Sequence, residues 1–135
     1  MSLPEGILIG WVGDDFTGSA ASMEVLEFAG VPAVLFLDVP TQAQLARFPG
    51  ARAVRVATTA RSHSPAWMER ELPGVFRFLA GTGARLVHYK TCSTLDSAPE
   101  VGSIGKAIDL GAKAVQGPFI PCLLAAPKMR RYQAF

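Results

Sequence analysis

The chain has 135 residues, 50% of them apolar and 18% charged, and its 13 basic and 11 acidic side chains leave a net charge of +2. A single soluble domain of this size buries roughly two-thirds of the surface its unfolded chain exposes, so it can hold a core without disulfide staples. It has no long basic block to follow a phosphate backbone and no apolar run long enough for a signal peptide or a membrane span, which argues against nucleic-acid and membrane partners.

Ile7 to Val12 is a compact apolar run closed by Gly13-Asp14-Asp15, and it predicts a first strand. Thr17 to Ala29 follows with Ala21, Val25, Phe28 and Ala29 at helical spacing and Gly30 as a stop. Ala33 to Leu37 reads as a strand covered on both faces, and Asp38-Val39-Pro40-Thr41 starts a short helix over Gln42 to Phe48. Ala53 to Thr58 is the third strand. The polar stretch Thr59 to Ser64 leads to Pro65, which suits a first helical turn, and a helix to about Ala80. Pro73-Gly74 inside that helix predicts a kink or two pieces, because an interior proline costs about 3 kcal/mol. After the Gly81-Thr82-Gly83 stop, Leu86 to Tyr89 is the fourth strand, Thr91 to Pro99 a polar loop, and Glu100 to Leu110 a helix closed by Gly111. Ala114-Val115 and Phe119 to Leu124 predict a fifth strand, interrupted by Pro118 and Pro121.

Apolar strands alternating with helices imply right-handed crossovers and a three-layer α/β/α domain with a mainly parallel sheet of about five strands. Ligands of such sheets bind beyond the strand C-termini. Three polar clusters qualify: Gly13 to Gly18, Arg61 to Ser64, and Lys90 to Ser97.

The first cluster has the glycine spacing of a phosphate loop, but Ser19 stands where the lysine belongs. It also carries two acids, and like charges 4 Å apart repel by about 4 kcal/mol at an effective dielectric near 20, so a bare phosphate is repelled. Asp14 and Asp15 can instead accept hydrogen bonds from substrate hydroxyls, act as a general base or hold Mg²⁺; alternatively one of them only caps the helix. Arg61 and Lys90 are complementary anchors for a carboxylate, and Ser93, Thr94 and Ser97 can donate to ligand oxygens or cap loops. Glu100, Ser103 and Gly105 surround the next helix start, where free backbone donors favour an anion. Cys92 and Cys122 have no zinc-type spacing, which points to a reducing, cytoplasmic setting, and no histidine is placed as a base for Cys92. His63 and His88 lack ligand spacing, although His63 is within a loop that can meet substrate.

Gly13-Asp14-Asp15-Phe16-Thr17-Gly18-Ser19, Ala60-Arg61-Ser62 and Lys90-Thr91-Cys92-Ser93-Thr94-Leu95-Asp96-Ser97, followed by Gly102-Ser103-Ile104-Gly105, together resemble the N-terminal part of the four-carbon acid sugar kinase family. The resemblance, over nearly the whole chain, implies an ATP-dependent kinase of tetronates or 3-oxo-tetronates, with an N-terminal α/β domain holding the sugar acid and a C-terminal domain holding ATP and Mg²⁺. Position by position it implies Asp14 and Asp15 at the substrate hydroxyls, with Asp15 catalytic. Arg61 and Ser62 would meet the acid end, and Lys90, Ser93 and Thr94 would form the floor. Departures are Gly13 and Ser19 where the family usually has alanine, Ala60 where it often has serine, and Ser103 where it has asparagine.

On this resemblance residues 1–135 are expected to be the substrate-binding domain alone, a fragment that binds without turnover because phosphoryl transfer needs both partners positioned. The alternative is a non-catalytic module that binds a sugar acid or a protein partner. A dinucleotide-binding domain is disfavoured, because Gly10-Trp11-Val12-Gly13 does not provide the G-x-G-x-x-G turn. Homo-oligomerisation is compatible with either reading.

Overall fold

The computed structural model describes residues 3–123 together with 125, 127, 130 and 132. Among these, β1 (Ile9–Gly13), α1 (Phe16–Phe28), β2 (Ala33–Phe36), α2 (Gln42–Leu45), β3 (Ala53–Ala57), a 3-10 turn (Ala60–Ser62), α3 (Pro65–Gly81), β4 (Leu86–Lys90) and α4 (Ile104–Ala114) follow in order. The sheet runs β2-β3-β1-β4 with every pair parallel. Gly13 lies opposite both Ala57 and Lys90, so three strands end level and deliver their following loops to one rim.

Alternation along the strands separates two faces. Val12, Val54 and Val56 join Met68, Leu72, Phe76 and Leu79 of α3 and Ala107 and Leu110 of α4 in the apolar core. On the other face, Trp11 and Arg55 are register partners buried under α1, whose Ser19 carbonyl accepts a hydrogen bond from Arg55 Nη1. The expected α/β/α layering therefore forms. No helix among the described residues is long and apolar enough to cross a membrane.

Three local expectations are overturned. First, α3 is one helix through Pro73, not two pieces. Its buried stripe of Met68, Leu72, Val75, Phe76 and Leu79 spans both sides of the proline, and burying each such side chain contributes about 1.5–3 kcal/mol, which outweighs the cost of one interior proline. Second, the last helix begins at Ile104, capped by Ser103, and continues past Gly111 to Ala114. Gly111 acts as a contact rather than a stop: a Cβ there would lie 3.2 Å from Cζ of Phe76, so its absence brings α4 close against α3. Third, the sheet has four strands among the described residues. Ala114 belongs to α4, and Val115 to Leu123 make no strand, since Pro118 and Pro121 have no N–H to offer a ladder; Leu124 lies outside the described residues.

Candidate functional site

The rim above β1, β3 and β4 is knit by backbone before any side chain acts. The Thr58 amide donates to the Gly13 carbonyl (2.8 Å), the Asp14 amide to the Lys90 carbonyl (3.1 Å) and the Arg61 amide to the Asp14 carbonyl (3.2 Å). Asp14 and Asp15 are thereby clamped between the loops that carry Arg61 and Lys90.

Asp15 is the hub. It has extended backbone at the start of α1, and its Oδ1 caps the helix by accepting from the Gly18 amide at 2.7 Å. The same oxygen lies 3.4 Å from Lys90 Nζ, while Oδ2 lies 3.3 Å from Arg61 Nη1. The helix cap, which the sequence offers only as the alternative to a ligand-binding role, is thus made by the same carboxylate that pairs with both cations.

Asp14 is more enclosed, with 4% of its surface exposed. Its Oδ2 accepts from the Cys92 amide at 3.1 Å; its buried Oδ1 has no hydrogen-bond partner among the described residues and lies 3.9 Å from Lys90 Nζ. Burial pushes this carboxyl above the ordinary aspartate range, against the pull of the Cys92 amide and the Lys90 ammonium. Gly18 makes the approach of Lys90 possible, because a Cβ there would fall 2.6 Å from Lys90 Cε and overlap the ammonium itself.

The hydroxyls divide. Ser97 accepts from the Ile104 amide (3.0 Å) and Ser103 from the Lys106 amide (3.1 Å), so both serve the start of α4. Thr94 Oγ1 donates to Asp96 (2.7 Å), and Ser62 is exposed in the 3-10 turn with its amide on the Thr59 carbonyl. Ser93 is exposed on the loop after β4. The Cys92 thiol is held below its ordinary value mainly by hydrogen bonds with Thr94, with Arg61 and Lys90 contributing less. His63 stacks on Trp67 with centroids 4.1 Å apart, and its Nε2 is 3.0 Å from Thr59 Oγ1. Both neighbours, with Phe16, Asp38 and Thr58, line an open cleft of about 380 Å³ beside the acids.

The sequence profile of a family described as the sugar-binding N-terminal domain matches residues 9–135. The chain belongs to that family. Its similarity to curated relatives agrees. It is 52% identical to a 3-oxo-isoapionate kinase of Paraburkholderia graminis over 132 residues, which are 98% of this chain and 28% of that protein. It is 30% identical to a 3-oxo-tetronate kinase of Burkholderia multivorans over 92% of the chain and 28% of the relative, and 30% identical to one of Escherichia coli over 96% and 33%. This sugar-binding domain therefore spans about a third or less of the length of these relatives, and the resemblance to four-carbon acid sugar kinases is borne out. No solved structure matches it significantly.

A divalent cation does not suit the acid pair of this sugar-binding domain. Lys90 and Arg61 already face Asp14 and Asp15, so a Mg²⁺ ion placed there would meet two side-chain cations within a few ångströms. Among the described residues no group of three or more His, Cys, Asp or Glu side chains is arranged for a metal.

Four contributors escaped the sequence reading: the Cys92 amide, the space left by Gly18, the Gly102 backbone, whose amide donates to the His63 carbonyl at 2.8 Å beside the turn of Arg61, and Arg55, buried under the start of α1. Only Arg55 left a legible signal, as a charge in the middle of the apolar run Ala53-Val54-Arg55-Val56-Ala57.

Proposed function

We propose that this sugar-binding domain grips a short 3-oxo sugar acid and presents one of its hydroxyls to a nucleotide held elsewhere in an ATP-dependent kinase. The observation that carries the reading is the meeting of Asp14, Asp15, Arg61 and Lys90 at one rim, two hydrogen-bond acceptors beside two cations. Arg61, one-third exposed, is the anchor for the substrate carboxylate together with Lys90. Asp15 accepts from the substrate hydroxyls and is the group placed to take a proton from the reacting one; buried Asp14 fixes Lys90 and the loop of Cys92. Ser62, Ser93 and Thr94, around the rim, contact the remaining oxygens. ATP and Mg²⁺ belong to the part of the kinase beyond this domain.

The 52% identity to a 3-oxo-isoapionate kinase, against about 30% for 3-oxo-tetronate kinases, makes the 3-oxo-isoapionate type the first ligand to test. Calorimetric titration with 3-oxo-isoapionate, erythronate, threonate and their 3-oxo forms should detect binding without turnover. Arg61→Ala should weaken that binding roughly ten- to hundredfold, the loss of one charge-assisted pair. Absence of binding to all of these acids by the folded domain overturns the proposal.

A second reading, a non-catalytic binding or interaction module, draws on Phe119, Ile120 and Leu123, which leave apolar side chains exposed after α4. Phosphorylation of the bound acid by the full-length gene product with ATP and Mg²⁺ separates the two.

A further inference from the structure

The open cleft of about 380 Å³ lies on the β2 side of the acid pair and is lined by none of the four charged groups of the rim. Phe16, the residue after Asp15, and Trp67 give it aromatic walls, while Asp38, Thr58 and Thr59 supply polar groups. Strand register fixes its place. Phe36 and Val12 both partner Val56, so two residues further on Asp38, Thr58 and Asp14 follow three neighbouring strand ends at one level. Strands lie about 4.8 Å apart, which puts Asp38 roughly 10 Å across the rim from Asp14. Lys90, level with Gly13, ends the strand on the other side of β1, so the acid pair stands between Lys90 and the cleft.

The polar side chains of the cleft are engaged with one another or with backbone, except at Asp38. Thr58 Oγ1 donates to the Gly13 carbonyl at 2.8 Å, Thr59 Oγ1 meets His63 Nε2 at 3.0 Å, and Arg70 Nε donates to Glu71 Oε1 at 2.7 Å. Asp38 has the Val39 amide, 2.7 Å from its Oδ1, and no ion pair among the described residues. A carboxylate offers about four acceptor positions, so one pinned by a single amide keeps capacity for a further donor. Since Arg70 and Glu71 cancel, Asp38 leaves the cleft net negative. Such a cleft refuses a second anionic group and suits a neutral hydroxyl. The carboxylate of a sugar acid is spent on Arg61 and Lys90 and its chain hydroxyls on Asp15, so what enters the cleft is an additional substituent.

We propose that this cleft receives a neutral, hydroxyl-bearing branch of the sugar acid, with Asp38 accepting from the branch hydroxyl, which makes Asp38 a specificity-determining residue for branched acids over unbranched ones. The proposal rests on the sugar-acid reading and adds the part of the substrate that the rim charges do not meet. Losing a hydroxyl that a site is built to bind leaves a polar group unpaired, but Asp38 is exposed and water can take the place of the missing donor. The expected preference for the branched acid is therefore about tenfold.

The test is calorimetric titration of this chain and its Asp38 variants with 3-oxo-isoapionate, which carries a hydroxymethyl branch, and with 3-oxo-tetronate, which carries none. The wild-type chain should bind the branched acid about tenfold more tightly. Asp38→Ala should bring the two affinities to within about twofold by weakening the branched acid alone, and Asp38→Asn, which keeps a carbonyl acceptor, should restore most of the preference. Equal affinities in the wild-type chain, a preference that survives Asp38→Ala, or an equal loss for both acids in that variant overturns the proposal. In each of these outcomes the sugar-acid reading stands, because binding is still seen; a folded wild-type chain that binds neither acid overturns that reading and the role of Asp38 with it.

Discussion

Lys90→Met is expected to lower the unfolding free energy by about 3 kcal/mol near neutral pH, the range for removing one partner of an enclosed ion pair. Lys90 is 17% exposed at its side chain and is the closest cation to Asp14. Methionine keeps the length and apolar stem, so the change isolates the charge. The pH dependence follows from Asp14, whose carboxyl stands above its ordinary value in the folded protein. A raised carboxyl contributes its stability fully below the unfolded value, about 3.9, and loses it as pH rises through the folded value. Lys90 is one of the groups holding Asp14 down, so its loss moves the folded value higher and extends the decline toward neutral pH. Urea unfolding should therefore show a small penalty near pH 4 and a larger one near pH 7. An equal penalty at both would assign the effect to packing of the lysine stem.

Gly102→Ala should be as damaging, for a different reason. Gly102 has φ +60°, and a Cβ there would lie 3.1 Å from the carbonyl carbon and 3.2 Å from the Cα of Arg61, with the carbonyl oxygen closer still. These are backbone atoms and cannot rotate away. Gly30, at φ +75° with nothing within 4 Å, provides the contrast: alanine there meets only the left-handed strain, about 1–2 kcal/mol. At Gly102 the backbone clash adds to that strain, for a total of about 3 kcal/mol or more. Relief requires the 3-10 turn to move, which breaks the 2.8 Å bond from the Gly102 amide to the His63 carbonyl and draws Arg61 from Asp15. Thermal unfolding and calorimetry should show both a lower midpoint and at least tenfold weaker sugar-acid binding. A wild-type melting temperature in Gly102→Ala would remove Gly102 from the account.

The site was legible in the sequence to the extent that parallel strands ending together must bring their following loops together. Asp15, Arg61 and Lys90 were selected on that ground, and Asp15 lies 3.3 Å from Arg61 and 3.4 Å from Lys90. What could not be read was how each charge is compensated. The N-cap role of Asp15 looked like an alternative to a ligand-binding role, because a sequence does not show that one carboxylate oxygen faces the Gly18 amide and Lys90 while the other faces Arg61. Ser97 and Ser103 looked equally suited to ligand and cap, and only the placement of the Ile104 and Lys106 amides assigns them to α4.

The order of the first four strands with the helices between them, and the polar clusters at the strand ends, were determined by the sequence alone, because hydrophobic period and turn chemistry act over a few neighbouring residues. Tertiary structure decided that α3 passes through Pro73, that Gly111 is a contact and not a stop, and that Arg55 sits buried beside Gly13. Each of these depends on a partner far along the chain, and its energy exists only after strand register and crossover have set two surfaces against each other.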